Sequence, residues 1–168
     1  MRFHRAAALP LVLVVLALCF GSGASSRIEG AVKKKAPNFQ LRTSDGTVIE
    51  LSKLKGKVVV LNFWATWCGP CRSELAAFNE TYGANKARGV EIVGISVDEG
   101  GWKDVKPFLK QYPVGYPVVL GTDKVVHAFG GVDAIPTTFI IDRDGYLADR
   151  HLGALTRSAL EALFARYL

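Results

Sequence analysis

The stretch Trp64-Ala65-Thr66-Trp67-Cys68-Gly69-Pro70-Cys71 decides the interpretation of this chain. It follows Val58–Phe63, a nearly continuous run of β-branched and apolar residues that is typical of a central strand covered on both faces. After it the apolar period becomes helical, and the residues that recur at i, i+4, i+7 and i+11 are Cys71, Leu75, Phe78 and Tyr82. The sequence therefore predicts two cysteines where a buried strand passes into a helix.

The two cysteines differ in position and therefore in expected reactivity. Cys68 lies at the predicted helix N-terminus, where unpaired backbone N–H groups and the helix dipole favour a thiolate, so we expect it to be the nucleophile. Cys71 lies one turn into the helix and is close enough to resolve a mixed disulfide formed by Cys68. Gly69 lets a partner approach closely, and Pro70 pre-sets a helical φ in the first turn.

Composition excludes several classes of protein. The 168 residues are 49% hydrophobic and 21% charged, which indicates one globular domain rather than a disordered segment or a coiled coil. The formal net charge is +6, but the basic residues are scattered and the aromatic residues lie in hydrophobic runs. A nucleic-acid partner is therefore not expected. We also expect the protein to be a monomer.

The N-terminal residues have the layout of an export signal. Arg2 and Arg5 precede an unbroken apolar run from Ala6 to Phe20, and small, polar residues follow. We expect residues 1–24 to be a cleaved signal peptide or an N-terminal membrane anchor, with lipidation at Cys19 as a third alternative. The first two alternatives place the domain outside the cytoplasm.

The remaining cysteines and the segment that follows the leader set the domain organisation. Without the leader the chain has one cysteine pair. A disulfide between Cys68 and Cys71 would close a very short loop and stabilise the fold little, so a redox role is expected instead. Residues 25–36 end in Lys33-Lys34-Lys35 and lack periodicity, which predicts a flexible basic linker. We expect the folded domain to span residues 37–168.

Strands and helices alternate after the linker. Alternating apolar residues on either side of Ser44-Asp45-Gly46 predict an N-terminal β-hairpin. A second hairpin around Arg143-Asp144-Gly145 precedes a final helix, which Thr156 is placed to cap. This order predicts an α/β domain with a mixed central sheet flanked by helices.

The stretch from Trp64 to Cys71 closely resembles the active site of the thioredoxin superfamily. Within that superfamily the chain is similar to the exported TlpA-like and ResA-like thiol-disulfide oxidoreductases, through Ala36–Phe39, Leu54–Trp64 and Pro136–Asp142. The resemblance implies a thioredoxin-like fold with an N-terminal β-hairpin and a central strand–helix insertion. It also implies a bacterial periplasmic location or one on the outer face of the cytoplasmic membrane.

The resemblance further implies which residues surround the cysteines. Pro136 is expected to form a cis peptide bond with Ile135 and to face the disulfide. The substrate-binding surface is expected to comprise Trp67, Gly69, Pro70, Ile135 and Pro136. Trp64 is expected to belong to the core rather than to this surface.

One departure from plain thioredoxin concerns proton transfer. Plain thioredoxin has a buried aspartate six residues before the first cysteine, but this chain has Asn62 there, which cannot act as a proton acceptor. Glu74, three residues after Cys71, matches a glutamate that ResA-like proteins use near the active site. We therefore expect Glu74 to handle the proton of Cys71, although a helix-dipole role explains an early acidic residue equally well without the resemblance.

The resulting expectation is a thiol-disulfide oxidoreductase that reduces disulfides in exported proteins through a Cys68/Cys71 dithiol. It requires no metal or organic cofactor. The resemblance implies re-reduction by a membrane electron carrier of the CcdA or DsbD kind, and apocytochrome c before haem attachment as one candidate substrate. The alternatives are a non-catalytic binding module of thioredoxin fold and a disulfide-forming oxidant of the same fold.

Three other classes of protein fit the sequence less well. A peroxidatic cysteine follows a Pro-x-x-x-Thr-x-x-Cys pattern, whereas Leu61 and Ala65 stand at the Pro and Thr positions before Cys68. A copper chaperone of the Sco type needs Cys-x-x-x-Cys. A zinc site would require His127 and His151 beside the cysteines, and neither has a finger-like spacing.

Overall fold

Seven β-strands and four α-helices alternate along residues 33–168, the part of the chain that the computed structural model describes. The strands are Gln40–Arg42 (β1), Val48–Glu50 (β2), Val58–Trp64 (β3), Val90–Ser96 (β4), Val118–Leu120 (β5), Thr137–Ile141 (β6) and Leu147–Leu152 (β7). The helices are Gly69–Asn85 (α1), Trp102–Gln111 (α2), Asp123–Ala128 (α3) and Arg157–Tyr167 (α4). The signal or anchor predicted for residues 1–24, with Cys19, lies outside the described residues.

Five of the strands form one mixed sheet in the order β5-β4-β3-β6-β7, which confirms the predicted architecture. β3 runs parallel to β4 and antiparallel to β6, so the C-terminal ends of β3 and β4 meet the start of β6 at one edge of the sheet. β1 and β2 pair as a separate antiparallel hairpin, as predicted. Between β4 and β6 the chain forms α2, β5 and α3, and β5 extends the sheet beside β4.

The two central strands have an apolar layer on each side. All seven residues of β3 are buried, and alternate residues face opposite sides of the sheet. Val58 and Val60 pack with residues of α1 and α4, whereas Leu61 and Phe63 pack with the hairpin and α3. This double cover explains why β3 and β4 are apolar almost throughout.

Helix α1 confirms the predicted apolar stripe. Cys71, Leu75, Phe78 and Tyr82 are all buried against the sheet. A 3-10 turn follows α1 and ends at Gly89, whose positive φ of 94° ends the helical segment where the sequence places its end. Thr156 caps α4 by accepting a hydrogen bond from the Ala159 backbone N–H, as predicted.

The predicted linker is too long at its C-terminal end. Lys35 forms a β-bridge with Tyr146, the Ala36 N–H donates to Gly145 O at 3.0 Å, and the Leu147 N–H donates to Lys34 O at 2.8 Å. These residues therefore belong to the fold, although their lysine side chains are exposed. Composition alone could not indicate this pairing, because its partners lie more than 100 residues away in the sequence. Within residues 33–168 the structure contains no helix long and apolar enough to cross a membrane.

Candidate active site

The redox pair lies where β3 passes into α1. β3 ends at Trp64, and Cys68 is the N-cap of α1, with Pro70 in the first turn. The Cys68 sulfur accepts a hydrogen bond from the Cys71 backbone N–H at 3.2 Å. Cys68 thus occupies the position of the helix at which a negative charge is most stabilised, as the sequence predicts.

Cys68 and Cys71 form a disulfide bond in this structure, with 5.3 Å between their Cα atoms. Both are buried, with 5% of Cys68 and 1% of Cys71 exposed. Shielding therefore differs little between the two residues in the oxidised form. We therefore expect a difference in reactivity between the two cysteines to come from their positions relative to the N-terminus of α1.

The loop before β6 approaches the disulfide from the other side. The Ile135–Pro136 peptide bond is cis, as the resemblance implies, and Ile135 O lies 3.8 Å from the Cys68 sulfur. An oxidised sulfur has no proton, so this is a van der Waals contact in the disulfide and becomes a possible hydrogen bond only for the thiol. The Gly153 N–H donates to Pro136 O at 2.8 Å and ties this loop to the end of β7.

The two tryptophans of the motif have different environments. Trp67, directly before Cys68, is 70% exposed, whereas Trp64 is 2% exposed and packs against Phe108 with ring centroids 5.4 Å apart. These placements agree with a surface position for Trp67 and a core position for Trp64. Gly94 leaves room for Trp64, because a Cβ atom there would lie 3.0 Å from the indole nitrogen, closer than ordinary van der Waals contact.

Asp98, which was not among the predicted site residues, fixes the loop that carries Trp67. Its carboxylate accepts hydrogen bonds from the Thr66 N–H at 3.1 Å, from the Thr66 hydroxyl at 2.6 Å and from the Ser96 hydroxyl at 2.8 Å. Asp98 follows the buried strand β4, which is parallel to β3. A polar residue directly after the neighbouring parallel strand is the signal that could have identified it.

Glu74 is buried, and both of its carboxylate oxygens accept hydrogen bonds. Only 2% of the residue is exposed. Oε1 accepts a hydrogen bond from the Asn62 side-chain amide at 2.8 Å, and Oε2 accepts one from the Leu155 N–H at 2.9 Å. Because Glu74 lies three residues after Cys71 on α1, the two side chains share one face of the helix.

The environment of Glu74 favours its protonated form. Burial raises the pKa of Glu74 from 4.5 to about 7, and the hydrogen bonds from Leu155 and Asn62 only partly oppose this rise. Burial raises the pKa of Tyr116 above its ordinary value, and the nearby Glu74 charge adds to this rise. The site therefore contains one carboxyl group that gains and loses a proton near neutral pH.

Asn62 belongs to the site although it cannot carry a proton. Its amide donates to Glu74 and also to the Thr138 hydroxyl at 3.1 Å, so it connects β3, α1 and β6. The sequence indicates only that Asn62 stands where thioredoxin has aspartate. Its pairing with Glu74 follows from the packing of α1 on β3, which the spacing of residues does not reveal.

The described residues do not bring His127 or His151 into a metal site with the cysteines. Within residues 33–168 no group of three or more His, Cys, Asp or Glu side chains is placed to hold a metal ion.

Comparison with known proteins identifies similar chains. A family model described as "AhpC/TSA family" matches residues 32–150. The chain is 43% identical to the thiol-disulfide oxidoreductase ResA of Bacillus subtilis over 139 residues, which are 83% of this chain and 75% of that protein. It is 38% identical to the ResA of Bacillus cereus over 157 residues, which cover 89% of this chain and 90% of that protein.

Solved structures agree with these sequence comparisons. The crystal structure of a thiol:disulfide interchange protein of the thioredoxin family from Chlorobium tepidum matches with a TM-score of 0.76 and 34% identity, over 82% of this chain and 98% of that one. StoA from Bacillus subtilis matches with a TM-score of 0.68 and 26% identity, over 77% of this chain and 97% of that one. The predicted thioredoxin-like fold is thereby confirmed.

The raised pKa of Glu74 predicts a specific dependence of stability on pH. The folded protein holds this proton more tightly than the unfolded chain, so the contribution of Glu74 to stability is fully present below pH 4.5 and is lost as pH rises through about 7. The full effect amounts to about 3 kcal/mol. Urea unfolding of the oxidised protein at pH 5 and pH 8 should show most of this loss, and the Glu74→Gln variant should lack it.

Glu80→Gln is the matched control, because Glu80 is an exposed glutamate on the same helix. It should keep the pH dependence of the wild-type protein. Equal pH dependence in the wild-type and Glu74→Gln proteins would show that Glu74 does not titrate in this range.

Proposed function

The chain belongs to the AhpC/TSA family and is a thiol-disulfide oxidoreductase, and from that premise we propose that it reduces disulfide bonds in exported proteins. The observation that supports this most directly is Cys68 at the N-cap of α1, bonded to Cys71 and in contact with Ile135. A peroxidase activity is disfavoured, because Leu61 and Ala65 stand at the Pro and Thr positions of the peroxidatic motif.

The reaction transfers two electrons from the dithiol to the substrate. The Cys68 thiolate attacks one sulfur of the substrate disulfide, the substrate S–S bond breaks, and the other substrate sulfur leaves as a thiolate. Cys71, once deprotonated, attacks the Cys68 sulfur. The Cys68–Cys71 disulfide forms, and the second substrate sulfur leaves as a thiolate.

In this scheme the Glu74 carboxylate accepts the thiol proton of Cys71. Its burial on the same helical face as Cys71 supports the role, and so does a pKa of about 7, which leaves part of the population ionised and able to accept a proton at neutral pH. Asn62 and Leu155 hold the carboxylate in place. Trp67, Gly69, Pro70, Ile135 and Pro136 form the surface that meets the substrate, and the exposure of Trp67 supports this assignment.

The relatives and the leader support a compartment and a set of partners for this reaction. The apolar run after Arg5 supports export to the periplasm or the outer face of the cytoplasmic membrane, with the leader cleaved or retained as an anchor. Each turnover leaves the protein oxidised, so an electron donor is required. A membrane carrier of the CcdA or DsbD kind would fill this role, and apocytochrome c is a candidate substrate.

A trapping experiment tests the assignment of the two cysteines. In Cys71→Ser the mixed disulfide on Cys68 cannot be resolved, so a disulfide-bonded peptide should accumulate as a covalent adduct. Mass spectrometry detects the adduct. Cys68→Ser is the control and should trap little, because Cys71 lies one turn into α1, away from the helix N-terminus that stabilises a thiolate. Adducts in neither variant would favour a non-catalytic binding module.

The proton role of Glu74 has its own test. The rate at which the reduced protein exchanges with a peptide disulfide should rise through a step near pH 7, and Glu74→Gln should lose that step. Glu80→Gln should retain it. An unchanged pH–rate profile in Glu74→Gln would contradict the role.

The direction of electron flow is tested by the reduction potential. A reductant should have a potential near that of thioredoxin, about −270 mV, when equilibrated with glutathione buffers. A value near about −120 mV, typical of a strong oxidant, would instead support the disulfide-forming alternative.

A further inference from the structure

Four exposed lysines lie on two neighbouring segments at the end of the sheet opposite the disulfide. We call this group the lysine face, and it consists of Lys34, Lys35, Lys53 and Lys55. Backbone hydrogen bonds bring its segments together, because Ala36 N–H donates to Gly145 O at 3.0 Å and Gly56 N–H donates to Arg143 O at 2.9 Å. The redox reaction makes no use of these residues.

The position of the lysine face follows from the sheet. Val58, the first residue of β3, lies at this end, and Trp64, the last, lies at the disulfide end. A strand of this length spans about 20 Å. A surface that contacts the lysine face therefore leaves the disulfide uncovered and directed away from that surface.

The charge of the lysine face is largely uncompensated. In the part of the chain that the structure describes, the ion pairs nearest to it use Lys33, which contacts Asp142 at 3.1 Å, and Lys57, which contacts Glu91 at 2.7 Å. None of the four lysines of the face takes part in an ion pair there. Asp144, in the same turn as Asp142, is an exposed acidic residue near the lysine face.

A recess of about 250 Å³ opens between Lys35 and Lys55. Leu51, Leu54 and Ile141 line it together with the polar residues Asn38, Ser52 and Asp142, and the Asp142 carboxylate pairs with Lys33. Ammonium groups around an apolar floor match the chemistry of an anionic phospholipid surface, which presents phosphate groups above hydrocarbon. A purely acidic protein surface would use the ammonium groups but leave the apolar floor without a partner.

The lysine face follows the apolar run of the leader closely along the sequence. Only 12 residues separate Phe20 from Lys33, and a chain of that length reaches at most about 40 Å. When the leader is retained in a bilayer, the lysine face is confined to the neighbourhood of that bilayer at high effective concentration. Weak attraction per lysine is then enough to orient the domain.

We propose that the lysine face docks on the anionic phospholipid surface of the membrane and thereby points the dithiol away from it. The proposal goes beyond the redox activity and does not depend on it. Reduction of a soluble disulfide should therefore be the same whether or not the face is docked.

Lysine acetylation of the full chain tests the docking. The protein is reconstituted in vesicles of phosphatidylcholine, alone or mixed with phosphatidylglycerol, and the rate at each lysine is measured by mass spectrometry. Acetylation of Lys34, Lys35 and Lys55 should slow about fivefold or more on the mixed vesicles, and high salt should remove the difference. Lys103 on α2, which begins at the disulfide edge, should react equally on both.

A pair of charge-matched variants makes the test specific. In Lys34→Glu/Lys35→Glu/Lys55→Glu, the remaining reporter Lys53 should lose its protection on the mixed vesicles. In Lys103→Glu/Lys106→Glu/Lys110→Glu, which changes the charge equally on α2, Lys53 should stay protected. Both variants should reduce a soluble disulfide at the wild-type rate.

Three results would overturn the proposal. Equal acetylation of the lysine face on the two vesicle types would show that no docking occurs. Equal protection of Lys103 would show that the domain has no preferred face. Protection of the same lysines by soluble polyglutamate as strong as that by the mixed vesicles would assign the face to an acidic protein instead.

Discussion

The hydrogen bond from the Cys71 backbone N–H to the Cys68 sulfur fixes the reactive end of the dithiol to the first turn of α1. That bond requires α1 to begin directly after Cys68, and therefore requires β3 to end a few residues earlier. β3 satisfies the requirement because its seven buried residues leave its register in the sheet no freedom. Cys71 and Glu74 then follow on the same helical face, and Ile135 contacts the Cys68 sulfur from the loop before β6.

Glu74 shows how two opposing effects are balanced at this site. Two donors, Asn62 and Leu155, stabilise its charged form, whereas removal from water destabilises that form. Burial has the larger effect, since the pKa is raised to about 7 despite both hydrogen bonds. Ionisation of the buried Glu74 therefore lowers the stability of the folded protein at neutral pH. In return, the helical face of Cys71 carries a carboxyl group that titrates in this range.

Much of this arrangement could be predicted from the sequence, because it rests on local signals. The apolar run of β3, the stripe of α1 and the Thr156 cap each reflect the periodicity or position of nearby residues. The contact of Leu155 with Glu74 and the pairing of Lys34–Ala36 with 145–147 could not be predicted in this way. They depend on contacts between segments distant in the sequence, and a backbone N–H such as that of Leu155 has no residue signature. The cis bond at Pro136 came from the resemblance alone, since most bonds before proline are trans.

We propose that the helix N-terminus, rather than exposure, makes Cys68 the nucleophile. Alkylation of the reduced protein with iodoacetamide tests this most directly, with each cysteine followed by mass spectrometry as the pH is varied around about 8.5, where an ordinary thiol ionises. The account predicts that Cys68 reacts first and stays reactive at lower pH than Cys71. Equal rates at the two cysteines, or faster alkylation of Cys71, would contradict it.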